Sequence, residues 1–287
     1  MNRAAIRKAL LAVMTLVAAM LACTFLLYAQ SPQAASDSVA AAATDPAFAD
    51  HANALLLRAR SLVDTFFDRV SNAVCKENVS QMMVGKNNKP FYREDSVFDY
   101  QLLASNKTGT LRLTESREMR KASFRDPYKS LLITNGFANM LLILHQSYDS
   151  SYVFTPVAEE QADGHTLFKY HFEAVPGTSS PAAIQLSGRN YPLQLHGDVW
   201  IEEASGAVVK LVSSLVGGLD DLGLHDLRSE VHYSYVQFHD PEEAFWLPAS
   251  AVIDLETPKQ HWRNVHRFSE YRRFRVTIQV DLGAEKQ

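Results

Sequence analysis

Ten histidines give this chain its most obvious chance at chemistry, because imidazoles bind metals and titrate near neutral pH. Their spacing works against it. His225, His232 and His239 fall seven apart, and in a strand an odd spacing puts neighbours on opposite faces. His225 and His239 share a face but stand about 45 Å apart in an extended chain. His261 and His266 also differ by an odd number, while His165 and His171 share a face about 20 Å apart. No HExxH, no CxxC and no close carboxylate–histidine cluster occurs, so neither a metal nor a cofactor is expected. No GxSxG elbow is present, and the scattered glycines form no phosphate loop. The acids of "HDPEEAF" (239–245) read as a solvated hairpin tip rather than a general acid–base pair. "GGLDDLGLHD" (217–226) lacks the ordered spacing of a calcium loop, which leaves calcium a minor alternative there. Cys75 is expected to be a buried structural thiol, since no base can be placed beside it. The reading is a protein that is not an enzyme, with a hydrolase lacking a recognisable motif as the rival.

Arginines are the other concentration of charge. In "HRFSEYRRFRVTIQV" (266–280) and just before it, Arg263, Arg267, Arg273 and Arg275 share parity, opposite Phe268, Phe274, Val276 and Ile278. A regular strand would project them from the convex face of a sheet. One reading is an edge or outer face kept soluble by charge. The other is a basic stripe for anionic lipid headgroups or an acidic partner.

The elements that must position these residues begin after an address. Arg3, Arg7 and Lys8 precede an uncharged apolar run, Ala9 to Ala29, and then the polar "QSPQAASDS". Residues 1–29 read as a secretory signal cleaved near Ala29. The run of about 20 residues is also long enough to span a bilayer, so an uncleaved membrane tether through residues 9–29 is the alternative. "MLAC", ending at Cys23, is similar to a bacterial lipobox, but Met20 and Leu21 fit it poorly and "TFLLYA" follows where a mature lipoprotein turns polar. Removing 1–29 leaves 25 basic against 32 acidic residues, a charge of −7, which argues against a nucleic-acid partner. One cysteine then remains, so no internal disulfide is possible.

Residues 30–44 read as a flexible spacer. Asp45-Pro46 is a helix start, and Leu55, Ala59, Leu62, Val63, Phe66, Val70 and Val74 follow at helical spacing, giving an amphipathic helix over roughly 46–72. Period two then takes over. Roughly ten strands follow one another through short links, which means an antiparallel meander. "NGFANMLLILHQSYDSS" (135–151) interrupts them as a second, short helix. The expected fold class is α+β in one domain, 45–287: a curved antiparallel half-barrel sheet wrapping the N-terminal helix and the inserted one. Aromatic residues recur on one parity of several strands, at Phe98 and Tyr100, Phe168, Tyr170 and Phe172, and Tyr233 and Tyr235. With Leu62 and Phe66 they would either line an apolar concavity or fill it as plain core.

"VCKENV", "GDVWIEEASGAVVKL", "AFWLPASAVI" and "HRFSEYRRFRVTI" together resemble a group of secreted bacterial proteins. The hairpin "VWIEEASGAVVKL" is also similar to one in the lipoprotein-carrier (LolA-like) superfamily. There an aromatic-aliphatic strand, an acidic residue, a Gly turn and a second apolar strand recur. The resemblance implies a half-open β-barrel with a helix packed in its mouth, covering most of 45–282. It also implies a periplasmic or envelope protein that carries acyl chains of lipoproteins or senses envelope stress. None of the superfamily's ligand-contacting residues matches a position here. The expectation is therefore an exported protein binding an acyl chain or a lipidated partner, against an envelope interaction or stress-sensing module with a filled core.

Overall fold

The computed structural model describes residues 46–273, apart from 71, 86, 88, 106–111, 123–135, 187–188, 220–222 and 240–241. The segment 1–29 expected to direct export, the expected spacer 30–44, Asp45, Phe274, Arg275, Val276 and Ile278 lie outside the described residues.

Helix α1 runs from Pro46 to Arg69. Pro46 opens it, where a missing backbone donor costs nothing. Ala52, Leu55, Ala59, Val63, Phe66 and Phe67 recur at helical intervals and are buried. Leu62, expected on this stripe, sits at its margin and is 42% exposed. Among the described residues no helix is long and apolar enough to cross a membrane.

Among the described residues twelve strands follow: β1 (Ala73–Val84), β2 (Pro90–Ser105), β3 (Arg112–Ala122), β4 (Tyr152–Ala162), β5 (His165–Ala174), β6 (Ala183–Leu186), β7 (Arg189–Pro192), β8 (Leu195–Glu202), β9 (Val208–Leu215), β10 (Asp226–His239), β11 (Glu242–Glu256) and β12 (His261–Arg273). Ten form one open antiparallel sheet in the order β3-β2-β1-β12-β11-β10-β9-β8-β5-β4, and β6 and β7 make a separate ribbon. Short turns explain much of this order. Asp163 and Gly164, both at positive φ (50° and 81°), close the β4–β5 hairpin as two central residues whose twist matches the strands.

Strand β12 is central, not an edge. It pairs with β1 on one side and β11 on the other, so the edges are β3 and β4. The strand is also irregular. Glu270 has φ 59°, and the β1 register shifts there: Val74 pairs with Arg272 and Lys76 with Ser269. Two residues face one across this bulge, which flips the parity of the residues beyond it. Asn264, His266 and Phe268 are buried before it, whereas Tyr271 and Arg273 turn inward after it.

The sheet curves around α1. Phe48 stacks on Phe168 of β5 at 5.7 Å, the Tyr170 hydroxyl donates to the Ala52 carbonyl at 2.7 Å, and Phe66 meets Phe245 of β11 edge-on at 5.8 Å. One helix therefore crosses from β5 to β11, and the architecture is the curved half-barrel expected.

The inserted helix takes a tighter form than expected. Asn139–Leu144 and Gln146–Tyr148 are two short 3-10 turns, separated by His145 in an extended conformation. At three residues per turn Ala138, Leu141 and Leu144 stack on one side, and all three are buried. Asp64 on α1 accepts from the Gln146 amide at 3.1 Å, and Arg60 pairs with Asp149 at 2.8 Å. The polar side of α1 thus holds the insert.

Candidate functional site

A cleft of about 380 Å³ opens beside α1. Ala59, Leu62, Val63, Thr65, Phe66 and Arg69 line its helical wall. Tyr235 of β10 and Glu242, Glu243, Ala244, Phe245 and Trp246 of β11 form the sheet wall. Ser205, Ala207 and Val208 close it from the β8–β9 turn, and Leu141 of the insert completes it. The volume falls at the lower end of the range of about 300–1,000 Å³ typical of small-molecule sites. Its deep residues, Val63, Phe66 and Phe245, are buried, whereas Leu62 and Tyr235 stand 42% and 60% exposed at the mouth.

The local sequence explains why the mouth is apolar. Burial on β10 passes from Val231 and Tyr233 to Val236 and Phe238. The register slips between His232 and Tyr233, where Ser250 and Pro248 of β11 flank an extra Ala249. Tyr235 therefore leaves the parity of Tyr233 and turns its ring against Trp246, 6.2 Å away.

Of the residues expected in an apolar concavity, Leu62, Phe66 and Tyr235 meet at this cleft. Phe98, Tyr100, Phe168, Tyr170, Phe172 and Tyr233 are buried side chains that fill the sheet's inner face instead. Tyr233 donates to the Phe137 carbonyl at 2.8 Å, and Tyr152 meets Phe172 edge-on. Rings this close leave the inner face occupied.

In the half of the sheet made by β12, β1, β2 and β3, a buried polar network is set into the apolar inner face. Glu77 is fully buried and accepts both Arg117 nitrogens, Nη2 at 2.8 Å and Nε more closely. His266 Nδ1 lies 2.8 Å from Glu77 Oε1. Arg117 also lies over the rings of Tyr100 and Phe137, at 5.3 and 5.6 Å. Next to this group, Glu115 holds the start of the insert. Its two oxygens accept the amides of Gly136, Phe137, Ala138 and Asn139 at 2.6–3.0 Å, and the Tyr100 hydroxyl as well. Burial pushes the Glu115 carboxyl up, against the pull of these donors. Burial also pushes the Cys75 thiol up to about 12, so it is inert as a nucleophile.

None of Glu77, Glu115, Arg117 and His266 was singled out as functional from the sequence, although a signal was there. Each lies on the inward parity of its strand, Glu77 with Cys75 and Val79, Glu115 and Arg117 with Leu113. A charge on an apolar parity must find a partner across the sheet.

This network makes stability depend on pH. Burial holds His266 below its ordinary 6.5, and the bond to Glu77 opposes that only in part. The unfolded chain takes a proton near pH 6.5 that the folded chain refuses, so stability falls as pH drops below that value. Burial raises Glu77, but the hydrogen bonds from His266 and Arg117 outweigh it and hold the carboxyl below 4.5, which adds a further loss as pH falls through that value. The urea midpoint should be lower at about pH 5.5 than at about pH 7.5, and His266→Gln should remove much of the difference. An unchanged difference in the variant would assign the effect to other groups.

The arginines do not form one stripe. Arg263 pairs in two-pronged fashion with Asp254, at 2.8 and 3.2 Å. Arg267 is exposed. Arg273, turned inward by the Glu270 bulge, pairs with Glu243 and lies over Phe238 and Phe245 at 5.1 and 5.3 Å. Arg275 lies outside the described residues. The histidines are likewise dispersed, His165 on Glu202, His171 on Asp198, His232 on Glu230 and His261 on Asp254. Among the described residues no group of three metal-ligating side chains converges.

No protein-family profile matches the chain, and no curated protein matches it. The solved structures it is similar to include the following three. A DUF1329 family protein from Desulfovibrio piger is 11% identical over 81% of this chain and 94% of its own, with a TM-score of 0.40. A LolA superfamily protein from Nitrosomonas europaea is 11% identical over 78% and 94%, with a TM-score of 0.35. An outer membrane lipoprotein-sorting protein domain from Vibrio parahaemolyticus is 12% identical over 80% and 93%, with a TM-score of 0.34. The second of these bears the name of the LolA-like superfamily that the sequence resembles. At such identities and scores, nothing about ligand or activity passes from them to this chain.

Proposed function

We propose that this is an exported, non-enzymatic protein of the periplasm or cell envelope that holds an acyl chain, of a lipid or a lipidated partner, in the cleft beside α1. The observation that carries the reading is the apolar mouth. Leu62 and Tyr235 are exposed large apolar side chains on opposite walls of one concave site, with Phe66 and Phe245 buried behind them. Exposed apolar surface that is concave and contiguous fits a binding site better than scattered surface leucines do. An extended chain entering there would cover both side chains. A signal over residues 1–29 would deliver the protein to a compartment where acylated partners occur.

The test is displacement of a fluorescent acyl probe. Leu62→Glu should weaken probe binding by about tenfold or more, since burying a leucine contributes about 1.5–3 kcal/mol. The substitution falls at an exposed position, so the melting temperature should change little. Equal probe affinity in wild type and variant would remove the cleft from the reading.

The filled inner face favours a second reading, an interaction or stress-sensing module tethered through residues 9–29. Tyr100, Tyr170 and Phe172 are fully buried where a wide carrier concavity would be open. Organic extraction of the purified protein separates the two. Acyl chains recovered in stoichiometric amount support carriage, and their absence together with no probe binding supports the module.

A further inference from the structure

On the reading that the cleft holds an acyl chain, its charged residues say what stands at the other end of the ligand. Three charged groups line the cleft: Arg69 at the end of α1, and Glu242 and Glu243 at the start of β11. Glu243 is taken. It pairs with Arg273, whose side chain is 10% exposed and lies over Phe238 and Phe245. Among the described residues neither Arg69 nor Glu242 has an ionic partner. Both are exposed. The site therefore offers one available cation, one available anion and a neutralised pair, with no net charge overall.

That pattern discriminates between headgroups. A net anionic group would gain from Arg69 but meet the repulsion of Glu242, and a cationic group the reverse. An uncharged group would gain from neither charge. A headgroup that carries both charges satisfies both side chains at once. A guanidinium takes phosphate oxygens with two parallel N–H bonds, and a carboxylate accepts the N–H donors of a primary ammonium. We infer that the ligand is a zwitterionic amphiphile, an acyl or alkyl chain joined to a phosphate and a primary ammonium, with Arg69 reading the phosphate and Glu242 the ammonium.

The experiment uses the exported chain and four probes that share a dodecyl chain: dodecylphosphoethanolamine, dodecyl phosphate, dodecylamine and dodecyl maltoside. Each competes with a fluorescent acyl probe at low salt, below its aggregation concentration. The zwitterion should compete roughly tenfold better than each of the other three, the scale of one charge-assisted hydrogen bond. Arg69→Gln should weaken the zwitterion and dodecyl phosphate alike. Glu242→Gln should weaken the zwitterion and dodecylamine but strengthen dodecyl phosphate, because it removes a repulsion. High salt should reduce all of these differences. Equal competition by all four probes would overturn the headgroup inference while leaving acyl binding in place. So would a preference for dodecyl phosphate, or a zwitterion affinity unmoved by Glu242→Gln. Failure of every probe would overturn the acyl reading itself. Melting curves of the two variants, expected to match the wild type at these exposed positions, separate lost contact from lost fold.

Discussion

Glu115→Ala is expected to destabilise the protein by about 3–5 kcal/mol, because several donors lose their acceptor at about 1–3 kcal/mol for each one left buried. The Glu115 carboxylate is buried and accepts four consecutive backbone amides and the Tyr100 hydroxyl. Truncation leaves those donors without an acceptor, and the Phe137 and Ala138 amides and the Tyr100 hydroxyl among them are buried. The same amides begin the segment that sends Phe137, Leu141 and Leu144 into the core, so the loss is cooperative. Glu115→Gln should cost less, because one acceptor oxygen remains while the new amide faces two donors. Urea unfolding at constant m-value measures both. A loss under about 1 kcal/mol for the alanine variant, the size of an average substitution, would mean that the insert is held by its apolar contacts alone.

Arg117→Leu is expected to cost a similar amount, about 3–5 kcal/mol, because it leaves Glu77 charged and buried with only His266 beside it. Adding Glu77→Leu should recover much of that loss. A buried ion pair replaced whole by apolar side chains is often neutral, since the cost of desolvating both charges disappears with them. The quantity of interest is the coupling between the two changes in a double-mutant cycle. Additive losses would show that Glu77 and Arg117 contribute separately, Arg117 through its contacts with Tyr100 and Phe137 and Glu77 through His266.

The candidate site was only half legible in the sequence. Leu62 and Phe66 could be placed together because helical spacing is a local property. Tyr235 was paired with Tyr233 by the same kind of argument, and that pairing fails. The slip opposite Ala249 is set by how β11 lies against β10, not by either strand's own pattern. Arg273 shows the same limit. Alternation puts it with Arg263 and Arg267 on the outside, but the Glu270 bulge turns it onto Phe238 and Phe245. A bulge adds one residue without changing composition, so periodicity carries no trace of it. The aromatic parity at Phe98, Tyr100, Phe168, Tyr170 and Phe172 predicted an inner face correctly but did not distinguish lining from filling. Both demand apolar side chains, and only the facing helix and insert decide how much space is left.

By itself, then, the sequence determined the kinds of element and their order, because helical and strand periods and turn residues act over a few neighbours. It determined an amphipathic helix, read over roughly 46–72 and found at Pro46–Arg69 with Val74 already in β1, and the run of short-linked strands. Tertiary structure alone decided the rest. It set the last described strand between β1 and β11 rather than at an edge, since pairing between residues nearly 200 positions apart depends on which faces can be buried together. It brought Glu77, Arg117 and His266 from three strands into one buried polar group. It left Leu62 and Tyr235 uncovered across a cleft because α1 crosses the sheet without filling the space at its C-terminal end. Each of these is a contact between distant segments, and their geometry is fixed by the packing of the whole sheet around one helix.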